Sequence, residues 1–142
     1  MWDLRSVAWK LGAAGVVALL ACAATSPAGP TTTTGVYSEA QSERGAAVYA
    51  QHCAACHGAA LTAGSAPPLT GPFWSSWNGR SMAELYGLVR GSMPQDAPSS
   101  LSDTAYADVT AHMLKVGGYP AGATDLPASA EALATMTIGP AR

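Results

Sequence analysis

The sequence predicts a single small domain with an all-α fold, and three observations support this. Serine helix-start signals stand at Ser38, Ser81 and Ser102, and each is followed by apolar residues at helical spacing. No stretch alternates apolar and polar residues as a half-buried strand would. Once an export segment is removed, about 120 residues remain, which is enough for one small domain. We therefore expect a single domain of three to four helices.

The first 22 residues have the pattern of an export signal. Arg5 and Lys10 form a basic start, and the apolar stretch from Leu11 to Ala21 ends in small residues and is too short to span a bilayer comfortably. Leu19-Leu20-Ala21-Cys22 resembles a bacterial lipoprotein signal, in which the cysteine is acylated. Cleavage without a lipid, at Ala21-Cys22-Ala23, is the alternative. We expect a periplasmic or otherwise extracytoplasmic protein, tethered to a membrane through Cys22.

Residues 23–37 are rich in proline and threonine, so they are expected to form a linker. The segment from Ser26 to Pro30 and the run from Thr31 to Thr34 lack the residues of a packed core. Such a linker would keep the domain close to a membrane, where a high effective concentration compensates for weak binding.

The predicted helices lie between residues 38 and 118. The first opens with the S-x-x-Q pattern of Ser38 to Gln41, and the second with the S-x-x-E pattern of Ser81 to Glu84 and ends at Gly91. The third begins at Ser102 and stops at Gly117-Gly118. Proline-rich loops connect them. The segment from Asp125 to Met136 allows one further short helix, which either packs back on the domain or lies on a partner.

Cys53-Ala54-Ala55-Cys56-His57 is the most specific motif of the chain. Its two thiols lie on one side of a helical turn, so they can add across the two vinyl groups of one porphyrin while the imidazole lies beneath the iron. Zinc would need four ligands, and only His52, His57 and His112 could join the two cysteines. A redox dithiol or a plain disulfide is a further alternative. The predicted cofactor is one covalent haem c.

His57 is predicted to take one axial position, with its other ring nitrogen donating to a carbonyl of the loop at residues 66–71. Six residues are candidates for the second axial position: His52, Met82, Met93, His112, Met113 and Met136. Met93 is favoured because it follows a helix stop and precedes Pro94, where a loop can hold its thioether over the ring. A loop methionine that fills a gap in the core is the alternative. His/Met ligation fills both axial positions, which disfavours oxygen chemistry and leaves one-electron transfer.

The composition indicates which partners and which core to expect. From Cys22 onward the chain has five basic and eight acidic residues, a net charge of −3, and no basic patch that indicates nucleic acid. Docking is therefore expected to depend on an apolar rim around the haem edge. The chain has only one phenylalanine, so a buried porphyrin would supply much of the apolar core. The apoprotein is expected to be largely unfolded.

These motifs together resemble the class I cytochrome c domains, and among them the small c-type cytochromes that accompany bacterial quinoprotein alcohol dehydrogenases. The resemblance extends from Gly45 to the C-terminus. It runs through CAACHG at 53–58, APPLTG at 66–71, Trp77 with Gly79-Arg80 and Glu84-Leu85, SMPQDAPSSLSD at 92–103, YADVTAHML at 106–114 and GGYPAG at 117–122. It implies the cytochrome c fold, with three to four helices around one covalently bound haem.

The resemblance also implies roles for individual residues. Pro67 would accept the hydrogen bond from the axial histidine, and Met93 would be the axial methionine. Gly45 would mark the crossing of the first and last helices. Trp77 and Arg80 would shield a haem propionate, with core packing and a solvated surface charge as the respective alternatives. His112 stands where the family usually has an aromatic ring, and it either packs as a flat ring or makes the helix crossing sensitive to pH.

The expected organisation is a cytochrome c domain at 38–122 with a C-terminal extension at 123–142. The expected function is one-electron transfer between a dehydrogenase and the respiratory chain, without catalysis. The partners would be a quinoprotein dehydrogenase as donor and an oxidase or another cytochrome as acceptor. Two alternatives remain: a haem enzyme or gas sensor with an open axial position, and a non-haem zinc or disulfide module.

Overall fold

The structure, a computed structural model, describes residues 28–62 and 64–140 and is helical. Its helices are α1 (Glu39–His52), α2 (Ala54–His57), α3 (Pro72–Trp77), α4 (Met82–Ser92), α5 (Asp103–Val116) and α6 (Ala130–Leu133). In the described ranges, β-type pairing outside the helices is limited to isolated bridges. The predicted all-α class is therefore confirmed. No helix in these ranges is both long and apolar enough to cross a bilayer. The predicted export signal, Cys22 and linker residues 23–27 lie outside the described residues.

The three predicted serine caps are present. The Ser38 side chain accepts a hydrogen bond from Gln41 N, Ser81 from Ala83 N and Ser102 from Ala105 N. Ser81 and Glu84 form a complete capping box, because the glutamate carboxylate also accepts from Ser81 N.

The cap at Ser38 is only half of the predicted box. The Gln41 side chain instead bonds both backbone groups of Leu126: Nε2 donates to the carbonyl oxygen at 2.9 Å, and Oε1 accepts from the amide at 2.6 Å. A buried amide that satisfies a distant peptide group on both sides fixes the position of that segment. Gln41 therefore attaches the C-terminal extension to α1.

Helices α1 and α5 cross at Gly45, as the family resemblance implied. A Cβ atom at Gly45 would lie 1.8 Å from the carbonyl oxygen of Asp108, so only glycine permits this approach. Tyr49 and His112 pack beside the crossing with their ring centroids 5.4 Å apart and their planes tilted by 49°. His112 is half-buried there.

Helix α3 lies where the sequence predicts a loop. Its first residue is Pro72. The N-cap residue is Gly71, which has no side chain that could accept a capping hydrogen bond. Without a Ser, Thr, Asp or Asn cap the usual sequence signal is missing. Its residues Trp74 and Trp77 are buried.

Residues 31–37 are packed, which corrects the expectation of an unpacked linker through residue 37. Thr32, Val36 and Tyr37 are buried, and the Tyr37 hydroxyl donates to the carbonyl oxygen of Tyr119 at 2.7 Å. The partners of this segment lie more than eighty residues away, where composition alone gives no indication of them.

The C-terminal extension packs back on the domain, which decides between the two alternatives left by the sequence. Only α6 is helical, so the helix predicted for 125–136 is much shorter than expected. Leu126, Leu133 and Ile138 are buried in the common core. The last segment, residues 136–139, lies between residues 30–32 and residues 79–82.

Candidate haem site

The two cysteines and the histidine of the motif form one helical turn. Cys53 ends α1 and caps α2, and its carbonyl oxygen accepts from Cys56 N at 3.2 Å and from His57 N at 3.0 Å. Both thiols are free; Cys53 is half-buried and Cys56 is exposed. This arrangement presents two thiols and one imidazole from a single turn, as the motif predicts.

The His57 ring is buried and its tautomer is fixed. Its Nδ1 lies 2.8 Å from the carbonyl oxygen of Pro67, and because a carbonyl can only accept, Nδ1 carries the proton. The lone pair of Nε2 is thereby left available for a metal. The hydrogen bond predicted from His57 to the loop at 66–71 is present.

The loop after the motif is folded tightly around it. Ala66 N donates to Cys56 O at 2.9 Å, and a Cβ atom at Gly64 would lie 2.0 Å from the same carbonyl oxygen. The Tyr49 hydroxyl donates to Gly58 O at 2.7 Å, which ties α1 to the end of the motif. These contacts fix the loop against the motif and so hold the carbonyl of Pro67 beside the His57 ring.

The Cys53 thiol does not have the environment of a redox-active thiol. Burial, and secondly the charge of Cys56, raise the pKa of Cys53 to about 11. Thiols of redox dithiols have a lowered pKa, since the thiolate is the reactive form. The shift is therefore opposite to the one that a thioredoxin-like dithiol needs.

Met93 stands at the C-cap of α4, where its amide donates to Val89 O at 2.9 Å. The loop that follows is closed by Tyr106 of α5. The Tyr106 hydroxyl donates to Met93 O at 2.7 Å and accepts from Leu101 N at 3.4 Å, so one side chain joins both ends of the loop. Met93 is half-buried.

Trp77 and Arg80 form a second group. The Arg80 guanidinium carbon lies 4.0 Å from the Trp77 ring centroid, a cation–π contact, and Arg80 Nη2 pairs with Glu84 Oε1 at 2.9 Å. The hydrogen bond from Ser81 N, and then Arg80, lower the pKa of Glu84. Trp77 is buried and Arg80 is exposed.

The donor set fits haem c better than it fits zinc. Two free thiols three positions apart, an imidazole with an available Nε2 and a loop thioether are the groups that c-type haem requires. Across residues 28–62 and 64–140, no three His, Cys, Asp or Glu side chains are grouped to hold a metal ion. His57 and Met93 would hold the iron, and Cys53 and Cys56 would bind the porphyrin through thioether bonds.

No motif of the sequence indicates a role for the tyrosine hydroxyls of the site. By their positions on the apolar faces of their helices, Tyr49 and Tyr106 look like packing residues, whereas their hydroxyls close the two loops around the site. A usable signal did exist, because a tyrosine on a buried face nearly always finds a hydrogen-bond partner.

Each lysine and arginine from residue 28 to residue 140 pairs with a carboxylate. Arg44 binds Asp108 and Asp125, and the other three pairs are Arg80–Glu84, Arg90–Asp103 and Lys115–Glu39. The described surface therefore has little uncompensated positive charge.

The helical fold, the thioether motif and the fixed imidazole define this protein as a class I c-type cytochrome domain, a haem-binding electron-transfer module. Residues 40–113, from α1 into α5, match the family model described as cytochrome c oxidase, cbb3-type, subunit III. The chain belongs to that family. Such a domain implies covalent haem c and redox partner proteins. Comparison with curated proteins and with solved structures gives no match.

Proposed function

We propose that this protein is a periplasmic monohaem cytochrome that carries single electrons between a dehydrogenase and the respiratory chain, with iron ligated by His57 and Met93. The single observation that carries this proposal is the hydrogen bond from His57 Nδ1 to Pro67 O. It leaves the lone pair of Nε2 free to bind iron, and it holds the ring in place in both oxidation states. When bound, the haem supplies a one-electron iron couple.

The loop of Met93 supports its assignment as the second ligand. Its backbone is fixed by Val89 and Tyr106, so the position of the side chain does not depend on the iron alone. A thioether favours ferrous iron, so His/Met ligation raises the reduction potential relative to His/His. A preformed loop also keeps Met93 in place when the charge of the iron changes, which suits rapid electron transfer.

A matched pair of substitutions tests the ligation. Met93→Leu preserves the volume of the side chain but removes the sulfur, so we expect loss of the weak red sulfur-to-iron absorption and a lower midpoint potential. Met113→Leu makes the same change at a buried methionine of α5 and should leave both quantities unaltered. An unchanged spectrum and potential in Met93→Leu would refute the ligation.

The same pair separates electron transfer from the alternative of a gas sensor or haem enzyme. With both axial positions filled, the ferrous parent protein should bind carbon monoxide poorly, whereas Met93→Leu should bind it readily. Ready binding by the parent would support an open axial position instead.

We further propose that Trp77 and Arg80 shield a haem propionate. The stacking of the guanidinium on the indole supports this role, since it holds a cation against the aromatic ring at the end of α3. Replacement of Arg80 by glutamine should lower the midpoint potential, because a nearby positive charge favours the more electron-rich ferrous state. An unaltered potential would indicate that Arg80 is only a surface charge paired with Glu84.

Export and membrane attachment remain part of the proposal. The basic start, the apolar stretch and Cys22 support a lipoprotein in the periplasm. Mass spectrometry of the mature protein would report haem addition, lipid on Cys22 and the cleavage point together. A mature N-terminus other than Cys22 would exclude the lipid anchor.

The partners are proposed on two different grounds. The likeness to quinoprotein-associated cytochromes favours a quinoprotein dehydrogenase as electron donor and an oxidase or cytochrome as acceptor. The description of the matching family favours a second candidate, a cytochrome subunit held within an oxidase complex. Co-purification from native membranes distinguishes them: recovery with a dehydrogenase supports the first, and recovery with oxidase subunits supports the second.

A further inference from the structure

The last segment of the chain is paired on both sides. On one side, Ile138 N donates to Arg80 O and Gly79 N donates to Ile138 O, each at 2.8 Å, while Met82 N donates to Met136 O at 3.0 Å. On the other side, Thr32 N donates to Thr137 O at 3.1 Å and Thr137 N donates to Pro30 O at 3.0 Å. Residues 136–139 thus hold residues 79–82 on one side and are themselves held by residues 30–32 on the other. The two segments 30–32 and 136–139 are here called the terminal clamp.

The clamped loop is the one that presents Trp77 and Arg80. Gly79 has a φ of +81°, a backbone conformation that favours glycine, and it directs the chain sharply from Trp77 into α4. Without the clamp, the Gly79 amide and the Arg80 carbonyl would lose their partner Ile138. The Ile138 side chain is fully buried and anchors the clamp in the core.

Both halves of the terminal clamp lie outside the region that matches the family model, residues 40–113. A loop inside the family region is therefore held by residues that the family model does not cover. We propose that the terminal clamp is a positioning element that fixes Trp77 and Arg80 beside the haem and so sets the reduction potential. This inference rests on the proposed function.

The physical basis is the mobility of one charged side chain. Arg80 is exposed, and its side chain is restricted by its backbone, by its stacking on Trp77 and by a surface ion pair with Glu84, which contributes little. If the backbone of residues 79–80 is released, the guanidinium spends less time near the haem edge and water reaches that edge more easily. Both changes favour the ferric state and lower the midpoint potential.

Ile138→Ala and Leu126→Ala form the experimental pair. Both remove a buried aliphatic side chain from the C-terminal extension, and both are expected to lower the free energy of unfolding by about 2–5 kcal/mol. Only Ile138 holds the clamped loop, because Leu126 is bonded to Gln41 of α1. We expect Ile138→Ala to lower the midpoint potential and to speed amide exchange at Gly79 about fivefold or more. Leu126→Ala should change neither.

A truncation supplies a second measurement, because it removes the backbone hydrogen bonds of Ile138 together with its side chain. A chain that ends at Thr137 loses both hydrogen bonds of Ile138 with the loop, whereas a chain that ends at Pro140 keeps them. The shorter chain should have the lower potential. Equal potentials in both pairs, with His/Met spectra intact, would overturn the positioning role. Absence of covalent haem in the parent protein would instead overturn the proposed function.

Discussion

Tyr106 closes the loop that carries Met93, so removal of its hydroxyl tests how the proposed second ligand is held. Tyr106→Phe deletes the donor to Met93 O and the acceptor of Leu101 N while the buried ring stays in place. Loss of one hydrogen bond in the protein interior, with a carbonyl left unsatisfied, costs about 1–2 kcal/mol. If the end of the loop opens when Met93 leaves the iron, the lost hydrogen bond destabilises only the state in which Met93 is bound to the iron. The population with Met93 dissociated should then rise about 5- to 30-fold.

Imidazole binding to the ferric protein measures this population, because under the proposed ligation imidazole reaches the iron only after Met93 has left. The apparent dissociation constant for imidazole should fall by the same factor of about 5 to 30 in Tyr106→Phe. Tyr86→Phe is the matched control: its hydroxyl also donates to a carbonyl, that of Asp103 at 3.2 Å, but does not contact the Met93 loop. Equal imidazole affinity in the parent and in both variants would refute the argument.

Three further predictions concern the folded domain. Gln41→Ala removes two buried hydrogen bonds and should lower the free energy of unfolding by about 2–4 kcal/mol in a denaturant titration. Gly45→Ala should prevent accumulation of folded holoprotein, because the new methyl group would overlap Asp108 O, whereas Gly87→Ala, with open space around it, should raise stability by up to about 1 kcal/mol. Burial, and then Lys115, lower the pKa of His112, so stability should fall as the pH drops below about 6.5, where the unfolded chain takes up the proton first; His112→Gln should flatten this dependence.

Exposed residues of α1 provide controls for two of these predictions. Gln51→Ala makes the same substitution as Gln41→Ala on the solvent side of the helix and should leave the unfolding midpoint nearly unchanged. His52→Gln removes an exposed histidine and should keep the pH dependence of the parent. A loss of stability equal to that of Gln41→Ala, or an equal flattening, would show that the buried contacts are not responsible.

The parts of the fold that sequence could predict are those specified locally. The caps at Ser38, Ser81 and Ser102 depend on residues within one helical turn, and all three are present. The haem motif is local in the same sense, since Cys53, Cys56 and His57 share one turn. The contact between His57 and Pro67 spans ten residues and was expected from the likeness to a family together with the stiffness of the loop.

The parts that sequence could not predict depend on partners far along the chain. Thr32 and Tyr37 looked like linker residues because their neighbours are small and polar, but they are buried by residues 119–139. Gln41 followed a capping pattern, yet its amide finds a better partner at Leu126. Such pairings depend on the assembled fold, which no short motif specifies.

The chain is packed against the domain from Gly29 onward, and this limits the distance between the domain and a lipid on Cys22. Gly29 already lies against the carbonyl of Thr135, so only the residues between Cys22 and Gly29 separate an acyl group from the packed protein. At 3.3–3.6 Å per residue this distance cannot exceed about 25 Å. An acylated form would therefore be held within about 25 Å of the phospholipid headgroups, so it could exchange electrons only with partners whose docking faces lie near the bilayer.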